Sequence, residues 1–243
     1  MNNGNVYVTI LKNNDLAADL LHGRRAFLKG GIPLHILHRY TNRMSKLETA
    51  EWTNIWYGNT NIKRKILLLG DSITQGYHYV VQREFGNDIC VGMHTTSKAV
   101  DNIYLIKEIE IMVNQYGNAN FELVHVNNGI HGMHMTDSQY AQFFDMYVYQ
   151  LTELLPSSKF VLALSTPITE PGSDFRYAEL NEHIINRNKI VEEVGKKYNI
   201  YVEDLYSVAD GIAEIRTGDG YHYKPEGCEK LGMVVVNTIK NML

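Results

Sequence analysis

The chain has 243 residues, of which 44% are hydrophobic and 21% charged, the composition of a soluble globular protein. Its length suits one large α/β domain with an appendage. The formal net charge of -4 offers no basic surface, so nucleic acid and anionic membrane surfaces are excluded as principal partners.

Cysteine usage and apolar runs bear on the cellular compartment. Cys90 and Cys228 are the only cysteines. They are too few for a disulfide framework and lack metal-ligand spacing, so we interpret both as buried thiols. Residues 1–30 lack a basic region followed by an apolar run, and no stretch of about 18 apolar residues occurs. We expect a cytoplasmic location, while secretion with removal of a signal peptide stays open.

The first 64 residues show no regular alternation of strands and helices. Asn5–Leu11 predicts a short strand, whereas Asp15–Leu28 and Leu47–Trp56 predict helices. A separate module of this size would have a thin core. We interpret residues 1–64 as an N-terminal extension packed on a core domain at 65–243.

From Lys65 onward, short apolar runs alternate with segments of helical period. Five runs are almost continuously hydrophobic, as parallel strands covered on both faces require. They are Lys65–Leu69, Asp88–Val91, Phe121–Val126, Lys159–Leu164 and Ile200–Val202. Between them, apolar residues spaced by three and four, such as Leu105, Ile109 and Met112, predict helices that cover the sheet. The alternation predicts a three-layer α/β/α sandwich with a five-stranded parallel sheet.

Ligands of such a sheet bind beyond the carboxyl ends of its strands, so the residues after each strand are candidates for a site. Gly70-Asp71-Ser72 follows the first strand. Ser72 would begin a helix, whose free N–H groups and positive dipole end favour a developing anion. Serine is also a common N-cap, and for Ser72 taken alone this structural interpretation stays open.

A second polar group precedes the last predicted helix, in Asp219-Gly220-Tyr221-His222. The aspartate can accept from one ring nitrogen of the histidine while the other nitrogen faces outward, which holds the tautomer that a general base needs. Loops that follow the first and last strands can meet at one edge of the sheet. We therefore expect Ser72 and His222 to lie close together.

These two segments resemble the first and last sequence blocks of the SGNH hydrolases, also called GDSL-type esterases and lipases. Ser72 matches the nucleophile of that family, His222 its base and Asp219 the carboxylate that orients the base. The resemblance continues through Lys224-Pro225-Glu226-Gly227 and covers residues 65–243. It implies a flavodoxin-like sandwich that hydrolyses esters through an acyl-serine intermediate, without a metal or another cofactor.

The same resemblance implies three hydrogen-bond donors to the oxyanion. One is the N–H of Ser72. Another is a glycine N–H after the second strand, where Gly92 is the only glycine, although this donor could also lie two or three residues later. The third is a side chain after the third strand. There the sequence 127–131 reads Asn-Asn-Gly-Ile-His, which departs from the family's Gly-x-Asn-Asp pattern and resembles a subset with Asn-Asn-Gly-x-His. We favour the imidazole of His131 as this donor, with Asn128 as the alternative.

Other polar residues near the predicted site have less specific interpretations. His131, His134 and Asp137 have a spacing that could hold a metal, but no cysteine or further carboxylate accompanies them. We favour a substrate-facing loop there. His125 lies in mid-strand and is interpreted as a core histidine. The loop after the fourth strand, through Glu170, is interpreted as a specificity loop.

The sequence therefore predicts a serine esterase that acts on short acyl esters. Acetyl on carbohydrate is the favoured substrate, because no long apolar insertion suited to a lipid chain lies near the predicted site. An O-acyltransferase with the same site and a non-catalytic carbohydrate-binding protein are the alternatives. The expected partner is a small-molecule or carbohydrate ester, with no nucleic acid and no membrane, and a homo-oligomer stays open.

Overall fold

The computed structural model describes residues 50–117 and 120–243. The predicted elements Asn5–Leu11 and Asp15–Leu28 lie outside these residues. The strands of the described part are β1 (Thr53–Trp56), β2 (Lys65–Gly70), β3 (Cys90–Thr96), β4 (Leu123–Val126), β5 (Lys159–Ala163) and β6 (Tyr201–Glu203). The helices are α1 (Ser72–Phe85), α2 (Ile103–Gln115), α3 (Asp137–Leu154), α4 (Asn181–Tyr198), α5 (Leu205–Ala209) and α6 (Pro225–Met242), with a 3-10 turn at Ala213–Ile215.

The six strands of the described part form one sheet in the order β1-β3-β2-β4-β5-β6. Strands β2 to β6 pair in parallel and have the strand order of a flavodoxin-like sheet. Alternate side chains of β2 enter two cores, Leu67 and Leu69 with α2, α3 and α4, and Ile66 and Leu68 with α1 and α6. Helices therefore cover both faces, and the predicted three-layer sandwich is confirmed.

Strand β1 was not predicted. For the described part of Leu47–Trp56 the predicted helix is wrong, because Thr53–Trp56 pairs antiparallel with β3, with Thr53 opposite Thr96. Its side chains alternate between half-buried and exposed, as in an edge strand. Strand β1 thus lies within the segment that the sequence assigned to the N-terminal extension.

The register of the central strands determines which residues share the carboxyl edge of the sheet. Gly70, at the end of β2, lies opposite Thr95 of β3, and Leu69 lies opposite Val126 of β4. The segments that follow β3 and β4 therefore flank the segment that follows β2.

Among the helices of the described residues, none combines the length and the apolar character needed to cross a membrane.

Candidate active site

Ser72 lies in the first turn of α1, directly after β2. Asp71 caps this helix, since its Oδ1 accepts a hydrogen bond from the Ile73 N–H at 2.9 Å. The turn requires glycine at position 70, where a Cβ would lie 2.1 Å from Thr74 Oγ1. Because Asp71 is the N-cap, the Ser72 hydroxyl is available to another partner.

That partner is His222, whose Nε2 lies 2.8 Å from Ser72 Oγ. The other ring nitrogen, Nδ1, lies 2.5 Å from Asp219 Oδ2. An ionised carboxylate only accepts hydrogen bonds, so Nδ1 carries the proton and Nε2 can accept the proton of the Ser72 hydroxyl. The structure therefore brings together the serine, histidine and aspartate that the sequence singled out.

The Asp219 carboxylate is held by its own turn. Its Oδ1 accepts hydrogen bonds from the backbone N–H groups of Tyr221, at 2.9 Å, and His222, at 2.8 Å. Burial alone would raise the pKa of Asp219, but these N–H groups and the His222 ring stabilise the anion and hold its pKa well below the usual range. Asp219 is thus ionised near neutral pH and can stabilise a positively charged His222 ring.

The turn at 219–222 is positioned by Arg216, which the sequence analysis missed. Arg216 is 5% exposed, and its guanidinium donates to the carbonyls of Gly220, at 2.7 Å, and Pro167, at 2.9 Å. Gly220 has a φ of 90°, and a Cβ there would lie 2.3 Å from the Thr169 carbonyl oxygen, so glycine is required. The loop after β5, interpreted as a specificity loop, packs against this turn.

Gly92 does not lie at the site. It is in the middle of β3, well before Thr95, the residue that pairs with Gly70 at the end of β2. A Cβ at Gly92 would lie 2.5 Å from the Tyr116 hydroxyl, so the glycine permits close packing beneath the sheet edge. The assignment of an oxyanion donor to Gly92 is corrected accordingly, because β3 extends well beyond the end predicted for it.

Asn128 and His131 lie in the loop after β4 and differ in their contacts. Asn128 is 4% exposed, and its Nδ2 donates to the Lys98 carbonyl at 3.2 Å. His131 instead acts electrostatically on Asp71: burial raises the pKa of Asp71, and attraction to the His131 ring opposes that rise. The Asn128 amide thus has a partner in the segment after β3, and His131 as the side-chain donor to the oxyanion stays a prediction.

The loop that contains His131 is held by a second buried arginine, Arg187 of α4. Arg187 is 0% exposed and donates to the carbonyls of Gly129, at 2.6 Å, His131, at 2.7 Å, and Gly132, at 2.7 Å. Its guanidinium also stacks over the Tyr140 ring, 4.6 Å from the centroid. Three carbonyl groups of one short loop are thus tied to one rigid side chain.

Sequence reasoning overlooked Arg187 although a signal was present. The apolar stripe of this helix includes Ile184 and Val191, and it lacks an apolar residue on the intervening turn. Arg187 and Asn188 occupy that turn, and both are buried. A charged residue in register with a core-facing stripe indicates a buried, paired group.

The His134 and Asp137 side chains, part of the predicted metal-like spacing, have separate partners. His134 Nε2 lies 2.8 Å from Asp101 Oδ2, and Asp137 accepts from Asn186 Nδ2 at 3.0 Å. Within residues 50–117 and 120–243, no group of three His, Cys, Asp or Glu side chains is arranged to hold a metal ion.

His125 is buried in β4, opposite Leu68, as predicted for a core histidine. Its Nε2 lies 2.8 Å from Glu203 Oε2, and the histidine and glutamate side chains are 0% and 2% exposed. Both side chains are therefore buried, although His125 is the penultimate residue of β4 and Glu203 the last residue of β6.

Comparison with known proteins identifies counterparts of the fold. The sequence matches no protein family model and no curated protein. The aryl esterase of M. smegmatis superposes with a TM-score of 0.61 at 15% identity, covering 74% of this chain and 100% of that protein. Est24, a carbohydrate acetylesterase from Sinorhizobium meliloti, gives a TM-score of 0.59 at 13% identity, with 74% and 100% covered.

A third solved structure, the acetyl xylan esterase AlAXEase, gives a TM-score of 0.56 at 17% identity, with 72% of this chain and 99% of that protein covered. At such identities the similarity establishes a shared fold. One fold can carry many activities, so function has to be argued from the residues at the carboxyl edge of the sheet.

Proposed function

We propose that this protein is a serine esterase that hydrolyses short-chain acyl esters, with acetyl groups on carbohydrate as its substrate. One observation carries the proposal: Ser72 Oγ, the His222 ring and the Asp219 carboxylate form a continuous hydrogen-bonded chain, with separations of 2.8 and 2.5 Å. A hydroxyl that shares its proton with an oriented imidazole is the arrangement of an activated nucleophile.

In the acylation step, Ser72 Oγ attacks the ester carbonyl carbon and gives its proton to Nε2 of His222. The anionic tetrahedral intermediate is stabilised by the N–H of Ser72, at the start of α1, and by the His131 imidazole. The bond from the carbonyl carbon to the alcohol oxygen then breaks. The departing alcohol takes the proton from His222, and Ser72 is left acylated.

In the deacylation step, a water molecule replaces the alcohol. His222 takes a proton from the water as the oxygen attacks the acyl carbon, and returns it to Ser72 Oγ when the acyl–serine bond breaks. The carboxylic acid leaves and the enzyme is restored. Asp219 stays ionised throughout and stabilises the imidazolium in both steps.

The substrate assignment draws on exposure and on the similar proteins. The His222 and Asp219 side chains are 46% and 49% exposed, so an ester can reach the base while its alcohol portion extends into solvent. This suits a bulky polar alcohol better than a long acyl chain, which needs an enclosed apolar pocket. Two proteins of the same fold are named as acting on acetylated carbohydrate or xylan.

The test is turnover of an acetyl ester by the Ser72→Ala variant. We expect kcat to fall on the order of 10⁴-fold or more, since the residual rate then depends only on binding and oxyanion stabilisation. A fluorophosphonate probe should label the wild-type protein and fail to label the variant. Circular dichroism and thermal unfolding check that the fold is retained.

Ser157→Ala serves as a matched control, because Ser157 is exposed and precedes β5 at the opposite edge of the sheet. It should keep wild-type turnover and labelling. Full activity in Ser72→Ala would exclude Ser72 as the nucleophile. Wild-type protein that binds sugar but neither turns over esters nor reacts with the probe would favour the non-catalytic alternative.

A further inference from the structure

Trp52 is fixed at the carboxyl end of β3 by its backbone. Its N–H donates to Ser97 Oγ at 3.0 Å, and its carbonyl accepts from the Ser97 N–H at 3.2 Å and from Thr96 Oγ1 at 2.7 Å. Main-chain groups make all three contacts on the Trp52 side. Any residue at position 52 could therefore make these backbone contacts, and they do not explain why the side chain is an indole.

The indole reaches from β3 toward the loop after β4. It meets the ring of His131 edge-on, with 6.5 Å between centroids and 77° between planes. Strands β3 and β4 lie on either side of β2, and neighbouring strands are about 4.8 Å apart. The loop after β4 also contacts the segment after β3, where Asn128 Nδ2 donates to the Lys98 carbonyl at 3.2 Å. The indole thus packs where these two segments meet, at the edge of the sheet that also carries Ser72.

Trp52 is more exposed than the aromatic residues of the two cores. Trp52 is half-buried, whereas Tyr77, Tyr140 and Phe144 of the two cores are at most 1% exposed. A large aromatic side chain that remains partly accessible at this edge of the sheet is available to a ligand. Planar aromatic faces bind the apolar C–H face of a ring compound while leaving its polar rim in water.

We propose that Trp52 is a specificity-determining residue whose indole binds the C–H face of the pyranose ring that carries the ester. The inference rests on the proposed esterase function and extends it to the alcohol side of the substrate. It assigns a role to the segment before β1, which the sequence analysis treated only as an extension. An ester without a ring makes no use of this contact.

The first experiment compares two acetyl esters that share the scissile bond. Peracetylated methyl xyloside has a pyranose ring, and ethyl acetate has none. For Trp52→Ala we expect kcat/KM on the xyloside to fall about tenfold, mainly through KM. On ethyl acetate the loss should be severalfold smaller, so the ratio of the two kcat/KM values falls. Trp52→Phe should retain most of the preference, because it keeps an aromatic face.

Trp56→Phe is the matched control. Trp56 is the other tryptophan of the chain, lies on β1, is 46% exposed and contacts His78. This variant should keep the wild-type ratio between the two esters. Equal losses on both esters in Trp52→Ala, or no loss on either, would overturn the proposal. The proposal would also be overturned if Trp52→Ala changed the preference between acetyl and butyryl esters but left the ratio of kcat/KM on the xyloside to kcat/KM on ethyl acetate unchanged.

A second readout does not depend on catalysis. In the Ser72→Ala, Trp56→Phe double variant, Trp52 is the only tryptophan, so its fluorescence reports on its surroundings alone. We expect a saturable change in Trp52 fluorescence on titration with peracetylated methyl xyloside, and no change with ethyl acetate. That result would support the pyranose contact even if the wild-type protein proved inactive on esters. Turnover of the xyloside without any fluorescence change would leave the esterase proposal standing and overturn this one.

Discussion

At the scale of single residues, Ser72 can react because its neighbour performs the structural task. Asp71 caps α1, so the competing interpretation of Ser72 as the N-cap does not apply. The sequence could not decide between them, since aspartate and serine are both favoured caps and stand side by side. The partner of Ser72 was predictable because Asp219 and His222 lie within one short turn, whose geometry is local.

The choice between His131 and Asn128 gives a prediction at this scale. His131→Ala should lower kcat by about 100- to 1000-fold if the imidazole donates to the oxyanion, with a smaller change in KM. Asn128→Ala should have the smaller effect on kcat, because its Nδ2 is held against the Lys98 carbonyl and keeps only one further N–H. Steady-state kinetics on one acetyl ester decides between them. A larger kcat loss in Asn128→Ala would assign the donor to Asn128.

At the scale of elements, two buried arginines hold the loops that form the site. Arg216 ties the turn at 219–222 to the loop after β5, and Arg187 ties together three carbonyls of the loop after β4. A planar guanidinium with five donors suits this task, because it satisfies several carbonyls in a fixed geometry. The loops therefore depend on side chains outside the reacting groups for their shape.

Arg187→Met tests this role. We expect kcat to fall about 10- to 100-fold, because the three carbonyls lose their common donor and His131 moves with its loop. KM should change little. Arg187→Lys should recover part of the rate, since an ammonium can replace some of the hydrogen bonds. Both variants should also be less stable, because buried carbonyl groups are left unpaired.

A stability control separates positioning from general destabilisation. Leu151 is 0% exposed in the core beneath α3, and Leu151→Ala should cost about 2–5 kcal/mol of unfolding free energy. Well below its melting temperature this variant should keep wild-type kcat. If Leu151→Ala and Arg187→Met lose kcat equally at matched stability, Arg187 has no specific positioning role.

The strands were predicted correctly where their buried residues are apolar. The prediction failed where buried polar residues are paired with residues distant in the sequence. The runs that form β2, β4 and β5 are hydrophobic and were identified. In β3, polar residues are buried because they find distant partners: His94 Nε2 lies 3.3 Å from Glu108 Oε2, and Thr96 Oγ1 lies 3.1 Å from Thr53 Oγ1. Such pairs leave no periodic pattern in the sequence, so β3 was predicted too short. The short prediction led to the wrong placement of Gly92 after the strand.

At the scale of the molecule, a rule of topology accounts for the convergence of distant residues. Ser72 and His222 are 150 positions apart, and the alternation of strands and helices sufficed to predict that they share one edge of the sheet. The antiparallel β1 was not predictable in the same way. A short edge strand takes its conformation from the strand it pairs with, and local propensity has little influence on it.

Stability toward acid gives a prediction for the whole molecule. His78 is 8% exposed in α1, and burial lowers its pKa from 6.5 to about 4. Between these values the unfolded chain binds a proton that the folded protein does not bind. Stability therefore rises with pH across this interval and is lost as the pH falls through it.

The shift at His78 corresponds to about 3 kcal/mol of unfolding free energy between pH 7 and pH 4. His78→Leu removes the titrating group, so its unfolding free energy should fall less than that of the wild type over the same interval. Urea unfolding at pH 7 and at pH 4.5 measures both, and the difference between the two proteins should change by about 2–3 kcal/mol. The absolute stability of the variant does not enter this comparison, so a packing cost at position 78 leaves the test intact. Parallel losses in the two proteins would show that folding does not lower the pKa of His78, and that another group causes the acid sensitivity.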